Sequence, residues 1–145
     1  MKFQEKLIYL LCLPYQMPKT LFVCYGNSER SQIAEGYYNH FTDSKDGFSA
    51  GTKASYIGLE LSDRINKLME EEGIDVKHQR VKLLKHSFVE TAERIFVLCG
   101  KGSCPDYLLS SDNVAYWDVT DPYDMELDDM RVIRNQIKEK VRSIL

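Results

Sequence analysis

Cys24 and Arg30 are separated by Tyr25-Gly26-Asn27-Ser28-Glu29, and Ser31 follows at once. This spacing suits nucleophilic attack on a tetrahedral oxyanion. A seven-residue loop that curls onto a helix N-terminus directs several backbone N–H groups at one anion. Arg30 adds a planar, permanently charged fork for two oxygens. The same positive groups favour the thiolate of Cys24, and the Ser31 hydroxyl can donate a hydrogen bond to it. Binding then holds the central atom of the anion in front of the sulfur. Gly26 lets the loop turn without a Cβ clash. Glu29 is an unusual neighbour for an anion: it either points outward or weakens the binding of a dianion.

The chemistry needs further groups. Protonating the departing oxygen lowers the barrier, and Asp121-Pro122-Tyr123 offers a carboxyl whose backbone Pro122 restricts to an extended form. Read alone, Asp-Pro is equally a turn, with Asp112, Asp118, Asp124, Asp128 and Asp129 nearby. Four cysteines (Cys12, Cys24, Cys99 and Cys104) are too sparse for a disulfide scaffold. They read as reactive or buried thiols in a reducing cytosol. Cys99-x4-Cys104 approaches metal-ligand spacing, but no second ligand pair accompanies it, and His40, His78 and His86 are not suitably spaced. No metal is expected there, and no tightly bound cofactor.

Secondary structure must position these groups. Thr20-Leu21-Phe22-Val23 reads as a buried strand running into the Cys24 loop. Ile33, Ala34, Tyr37, Tyr38 and Phe41 then follow a 3.6-residue period. Four strands are expected at about 19–24, 47–50, 94–98 and 113–117. Ser62 can cap a helix through Glu72 that turns Ile65, Leu68 and Met69 inward, with Gly73 in the left-handed position after it. Short helices are expected over 88–92 and 105–110. A last helix, about 127–144, aligns Met130, Ile133, Ile137 and Val141. Glu70-Glu71-Glu72 reads as a solvated helix end. Strands alternating with helices predict α/β architecture: a parallel sheet, helices on both faces, and ligands beyond the carboxyl ends of the strands.

Composition narrows the partners. The 145 residues make one ordinary domain, with a formal charge of −3 and no basic excess to hold nucleic acid. Residues 1–16 read as an N-terminal extension to a domain spanning 17–145, with Met17 as an alternative start. The run Leu7–Leu13 is too short to span a bilayer. A cytoplasmic monomer without membrane contact is the expectation, and Cys12 has no assigned role.

The segment Leu21-Phe22-Val23-Cys24-x-Gly26-Asn27-Ser28-x-Arg30-Ser31-Gln32-x-Ala34-Glu35-Gly36 resembles the low-molecular-weight protein tyrosine phosphatases and their relatives, the thioredoxin-coupled arsenate reductases. The likeness continues through Ser49-Ala50-Gly51-Thr52, Met69-x-Glu71-x-Gly73-Ile74-Asp75, Cys99, Cys104-Pro105, Trp117-Asp118 and Asp121-Pro122. It implies a three-layer α/β/α fold of the phosphotyrosine protein phosphatase I type, with strand order 2-1-3-4. It also implies Cys24 as nucleophile and Asp121 as general acid.

The resemblance has two branches. In the reductases, Cys24 attacks arsenate, Cys99 attacks Cys24 and Cys104 attacks Cys99, leaving a disulfide for thioredoxin. Gln32 favours this branch, since the phosphatases usually have proline there, and so does Trp117-Asp118. Tyr123 is similar to the phosphatases, which act on phosphotyrosine through a phosphocysteine. Glu29 stands where many of them carry a second loop cysteine, so a disulfide within the loop is impossible. The Cys99–Cys104 gap is shorter than is common in the reductases. Asn27, Glu35 and Ser49 match positions that bind potassium in some reductases; the alternative is a hydrogen-bond network that holds the loop.

Overall fold

The structure is a computed structural model and describes residues 19–145. The expectations for the N-terminal extension, Cys12 and Met17 lie outside the described residues. Strand β1 (Thr20–Cys24) is buried at every position, as its continuous apolar run requires. Around it lie β2 (Gly47–Gly51), β3 (Arg94–Val97) and β4 (Val114–Tyr116). The sheet is parallel throughout, in the order β2-β1-β3-β4. The chain leaves β1 for one neighbour and later returns on the other side. The strand order therefore reverses between β1 and β3, and Cys24 ends β1 at that switch point.

Alternation along the strands sorts the core into two layers. Leu21, Val23, Ile95 and Val97 face Leu84, Val89 and Leu108. Val89 lies on α3 (His86–Thr91) and Leu108 on α4 (Asp106–Leu109). Phe22, Cys24 and Phe96 face the opposite layer, built by α1 (Arg30–Thr42), α2 (Asp63–Glu70) and α5 (Leu127–Arg142). Phe96 stacks on Phe22 and Trp117 at 5.9 and 4.6 Å between ring centroids. Full burial of each such ring contributes about 1.5–3 kcal/mol.

The helices follow the predicted periods. The Ser62 hydroxyl accepts the Ile65 N–H at 3.3 Å and caps α2, and Gly73 takes φ 73° beyond its end. One expectation fails here. The run Glu70-Glu71-Glu72 is not merely a solvated helix end, because α2 stops at Glu70. Glu71 pairs with Arg131 and Arg134 at 2.7 Å each, and Glu72 accepts from Tyr37 and Lys138. Periodicity cannot reveal this, since the partners lie on α1 and α5. After Gly73 the chain turns again at Lys77–His78, and Leu83 bridges to Gly51, the last residue of β2. That bridge lays Arg80 and Lys82 against the Cys24 loop.

Candidate active site

The loop from Cys24 to Arg30 rests directly on Gly51. A Cβ at Gly51 would lie 2.7 Å from the Asn27 nitrogen and the Tyr25 carbonyl oxygen, so only glycine fits. The close approach falls there and not at Gly26, where a Cβ would meet only the Ser28 hydroxyl at 3.5 Å. The left-handed turn falls on Asn27, with φ 53°. Gly26 is thus not the residue that makes the loop sterically possible.

Asn27 is fully buried and organises the loop. Its Oδ1 accepts the Lys82 backbone N–H at 2.8 Å and Gln32 Nε2 at 2.8 Å. A backbone N–H can only donate, so Nδ2 must face the two nearby hydroxyls. It donates to Ser31 Oγ at 2.8 Å and Ser49 Oγ at 2.9 Å. Each hydroxyl is left with its own proton to give. Ser49 gives it to Glu35 at 2.8 Å, and the Ser31 hydroxyl lies 2.9 Å from Cys24 Sγ, placed to give its proton to a thiolate there. The Asn27 N–H also reaches Cys24 Sγ, at 3.2 Å. A thiolate at Cys24 would accept from both groups. Gln32 is locked in turn by Gln79, whose Nε2 donates to its Oε1 at 2.7 Å.

Arg30 is 8% exposed although permanently charged. Its Nη1 donates to the carbonyls of Leu98 and Val119, at 2.6 and 3.2 Å. One edge of the guanidinium is thereby fixed beyond the ends of β3 and β4, and Nη2 lies 3.8 Å from Asp121. A cavity of about 300 Å³ opens over Cys24, Ser28 and Arg30, with Asp121 on its wall. The Tyr123 N–H holds Asp121 Oδ1 at 3.0 Å and so orients the carboxyl. Tyr56 and Tyr123, 66% and 78% exposed, flank the mouth. Lys53 and Ser55 also line it, and sequence reading missed them and Tyr56. Their position just after Ser49-Ala50-Gly51-Thr52 was the available signal.

Glu29 does not point away from the site: it is half-buried in the cavity wall. Burial raises the pKa of its carboxyl, and the nearby Asp121 charge adds to the effect. Glu29 leaves the first turn of α1 without a side-chain cap. The N–H groups at that helix end keep their capacity to bind an anion.

Cys99 and Cys104 lie at the same end of the sheet as Cys24, both half-buried, and the Cys104 thiol donates to the Gly100 carbonyl at 3.7 Å. They pack against the layer on the other side of the sheet from Cys24. Burial pushes the Cys99 thiol up to about 12, helped by the charges of Cys104 and Cys24. Burial also raises Cys104. All three are free thiols. Asn27, Glu35 and Ser49, the trio matched to potassium, are joined by the hydrogen bonds above. The Lys82 ammonium stands 3.5 Å from Glu35.

Comparison with known proteins agrees with this geometry. A glutaredoxin arsenate reductase of Synechocystis is 31% identical over 134 residues, covering 89% of this chain and 97% of the relative. A solved arsenate reductase in the phosphate-binding state superposes with a TM-score of 0.77 at 30% identity, covering 88% of this chain and 96% of that one. A low molecular weight protein tyrosine phosphatase from T. tengcongensis superposes with a TM-score of 0.75 at 25% identity, over 88% and 97% of the two chains. The family profile described as low molecular weight phosphotyrosine protein phosphatase matches residues 19–145. With the loop, sheet order and coverage in agreement, the chain belongs to the low molecular weight phosphotyrosine protein phosphatase family.

Proposed function

We propose that this protein is an arsenate reductase in which Cys24, Cys99 and Cys104 act in series. The observation that carries the reading is the pair of free thiols, Cys99 and Cys104, at the sheet end where Cys24 lies. A phosphatase has no use for that pair. Arsenate reductase is also the activity in the names of the Synechocystis relative and the solved structure above.

The Cys24 thiolate attacks arsenic(V), and one arsenate oxygen leaves as water with a proton from Asp121. Arg30 and the N-terminus of α1 hold the other oxygens. Cys99 then attacks Cys24 Sγ. The electron pair of the sulfur–arsenic bond passes to arsenic, which leaves as arsenite, and a Cys24–Cys99 disulfide forms. Cys104 attacks Cys99 and releases the Cys24 thiolate. An external dithiol protein of the thioredoxin class reduces the resulting Cys99–Cys104 disulfide. The name of the Synechocystis relative makes glutaredoxin the second reductant to assay.

The high pKa of Cys99 sets an order of events. Burial is its main cause, and the Cys104 and Cys24 charges add to it, so Cys99 ionises less readily while Cys24 is a thiolate. Once Cys24 carries arsenic, its sulfur no longer holds a thiolate charge against Cys99. Because the two thiols pack on different sides of the sheet, segment 99–104 must shift for Cys99 to reach Cys24. Gly100 and Gly102 stand in open space and allow it.

Phosphatase action through a Cys24 phosphocysteine is the second reading, favoured by the exposed Tyr56 and Tyr123 at the mouth. Disulfide mapping after one turnover with arsenate separates the two. A Cys99–Cys104 bridge with one equivalent of arsenite supports the relay. Full turnover by both Cys99→Ser and Cys104→Ser would refute it.

A further inference from the structure

The chain of hydrogen bonds behind Cys24 does not end at Glu35. It runs from Cys24 through Ser31, Asn27 and Ser49 to the Glu35 carboxylate. The Glu35 side chain is only 10% exposed, and a carboxylate so placed needs a counter-charge. The Lys82 ammonium supplies one, 3.5 Å from Glu35 Oε1. Its Nζ also donates to the Arg80 carbonyl at 2.8 Å. That carbonyl accepts Gln32 Nε2 at 2.9 Å as well. Lys82 thus closes both arms of the network that holds Asn27.

A potassium ion at Asn27, Glu35 and Ser49 does not fit this arrangement. The carboxylate that would face the ion already faces an ammonium. Asn27 turns Nδ2, a donor, toward Ser49, and the Ser49 proton is spent on Glu35. We infer that Lys82 is a positioning residue that serves as a built-in monovalent cation, making the oxyanion loop independent of added potassium. The inference rests on Cys24 being the oxyanion-directed nucleophile, and it holds for either reaction of that thiolate.

The side chain can be tested apart from the backbone. The Lys82 N–H donates to Asn27 Oδ1 whatever side chain the residue carries, so Lys82→Met removes the charge and keeps that clamp. The readout is protection of Cys24 from iodoacetamide by inorganic phosphate in Cys99→Ser/Cys104→Ser protein, where Cys24 is the labelled site located by peptide mapping. In Lys82→Met, phosphate should protect about tenfold more weakly in tetramethylammonium chloride. Equimolar potassium or ammonium chloride should restore most of the loss, and Lys82→Arg should lose little. Adding Glu35→Gln should abolish the cation response, because no carboxylate remains to be neutralised.

Circular dichroism of each variant separates misfolding from loss of the charge. Folded Lys82→Met with wild-type protection in tetramethylammonium chloride would overturn the inference. So would weak protection that no cation restores. If phosphate fails to protect Cys24 even with Lys82 present, the oxyanion reading itself fails, a separate result.

Discussion

Glu29 shows how much one carboxyl can matter at an anion site. It shares the cavity wall with Arg30 and Asp121, and burial and Asp121 both raise its pKa. Below that raised value Glu29 is neutral and does not oppose an anion; as pH rises through it, the carboxylate ionises and repels. Sulfate, whose charge is constant over the range, should therefore protect Cys24 from alkylation less well as pH rises. Glu29→Gln should strengthen that protection about three- to tenfold at neutral pH, the worth of one charge at close range. It should also flatten the pH dependence. Identical sulfate protection in the two proteins across the range would show that Glu29 leaves the bound anion untouched. Cys99 makes a second prediction at this scale. Its thiol is pushed up to about 12, so single-turnover arsenite release should rise steadily with pH from about 6 to 9. A stopped-quench series with a plateau below neutral pH would contradict that.

Among the elements, the joint between β2 and the Cys24 loop is the most constrained. Gly51 Cα pairs with Cys24, and the Thr52 N–H donates to the Cys24 carbonyl at 2.9 Å, so the loop has no room to lift. Gly51→Ala should cost about 1–3 kcal/mol of stability by forced overpacking. It should also lower turnover by about tenfold or more through misplacement of the loop. Urea unfolding and steady-state rates would check both parts. The segment after β3 is the opposite case. The 3₁₀ turn Lys101–Ser103 carries Lys101 over the Tyr116 ring at 4.6 Å, a cation–π contact within the segment that joins Cys99 to Cys104. Tyr116→Leu should release that segment and speed Cys24–Cys99 disulfide formation after arsenate attack, read by quenched mass mapping. An unchanged rate would show that the contact does not restrain the relay.

For the molecule as a whole, Glu71 joins the chain beyond α2 to α5 through Arg131 and Arg134. Hydrogen bonds from Arg131 and then Arg134 hold its carboxyl down, at about 2 against an ordinary 4.5. A carboxyl lowered in the folded state adds stability above its unfolded value. That contribution fades as pH falls from 4.5 through about 2. Glu71→Gln should therefore melt lower than the parent at neutral pH, and the gap in Tm should narrow below pH 4.5. A gap that stayed constant into acid would show that the pairing is not the source. Among the described residues, no helix is long and apolar enough to cross a membrane.

Covalent spacing and hydrophobic period are local, and they determined what the sequence alone could tell. Cys24-x5-Arg30 between an apolar strand and a 3.6-period helix announced the oxyanion loop. Leu21 to Val23 and Ile95 to Val97 announced buried strands. Asp121-Pro122 became an acid only through resemblance, because an Asp-Pro pair serves equally as a turn. What folding decided was every relation across the sheet. Gly51, not Gly26, carries the close contact, because two strands meet there. Glu71 and Glu72 are ion-paired because α5 brings Arg131, Arg134 and Lys138 to them. Cys99 and Cys104 were visible as residues, but their placement across the sheet from Cys24 follows from strand alternation in three dimensions. Lys82, 47 positions from Glu35 in the chain, had no local signal at all. Only the bridge from Leu83 to Gly51 lays its ammonium against a buried carboxylate, and electrostatics reads distance in space, not in sequence.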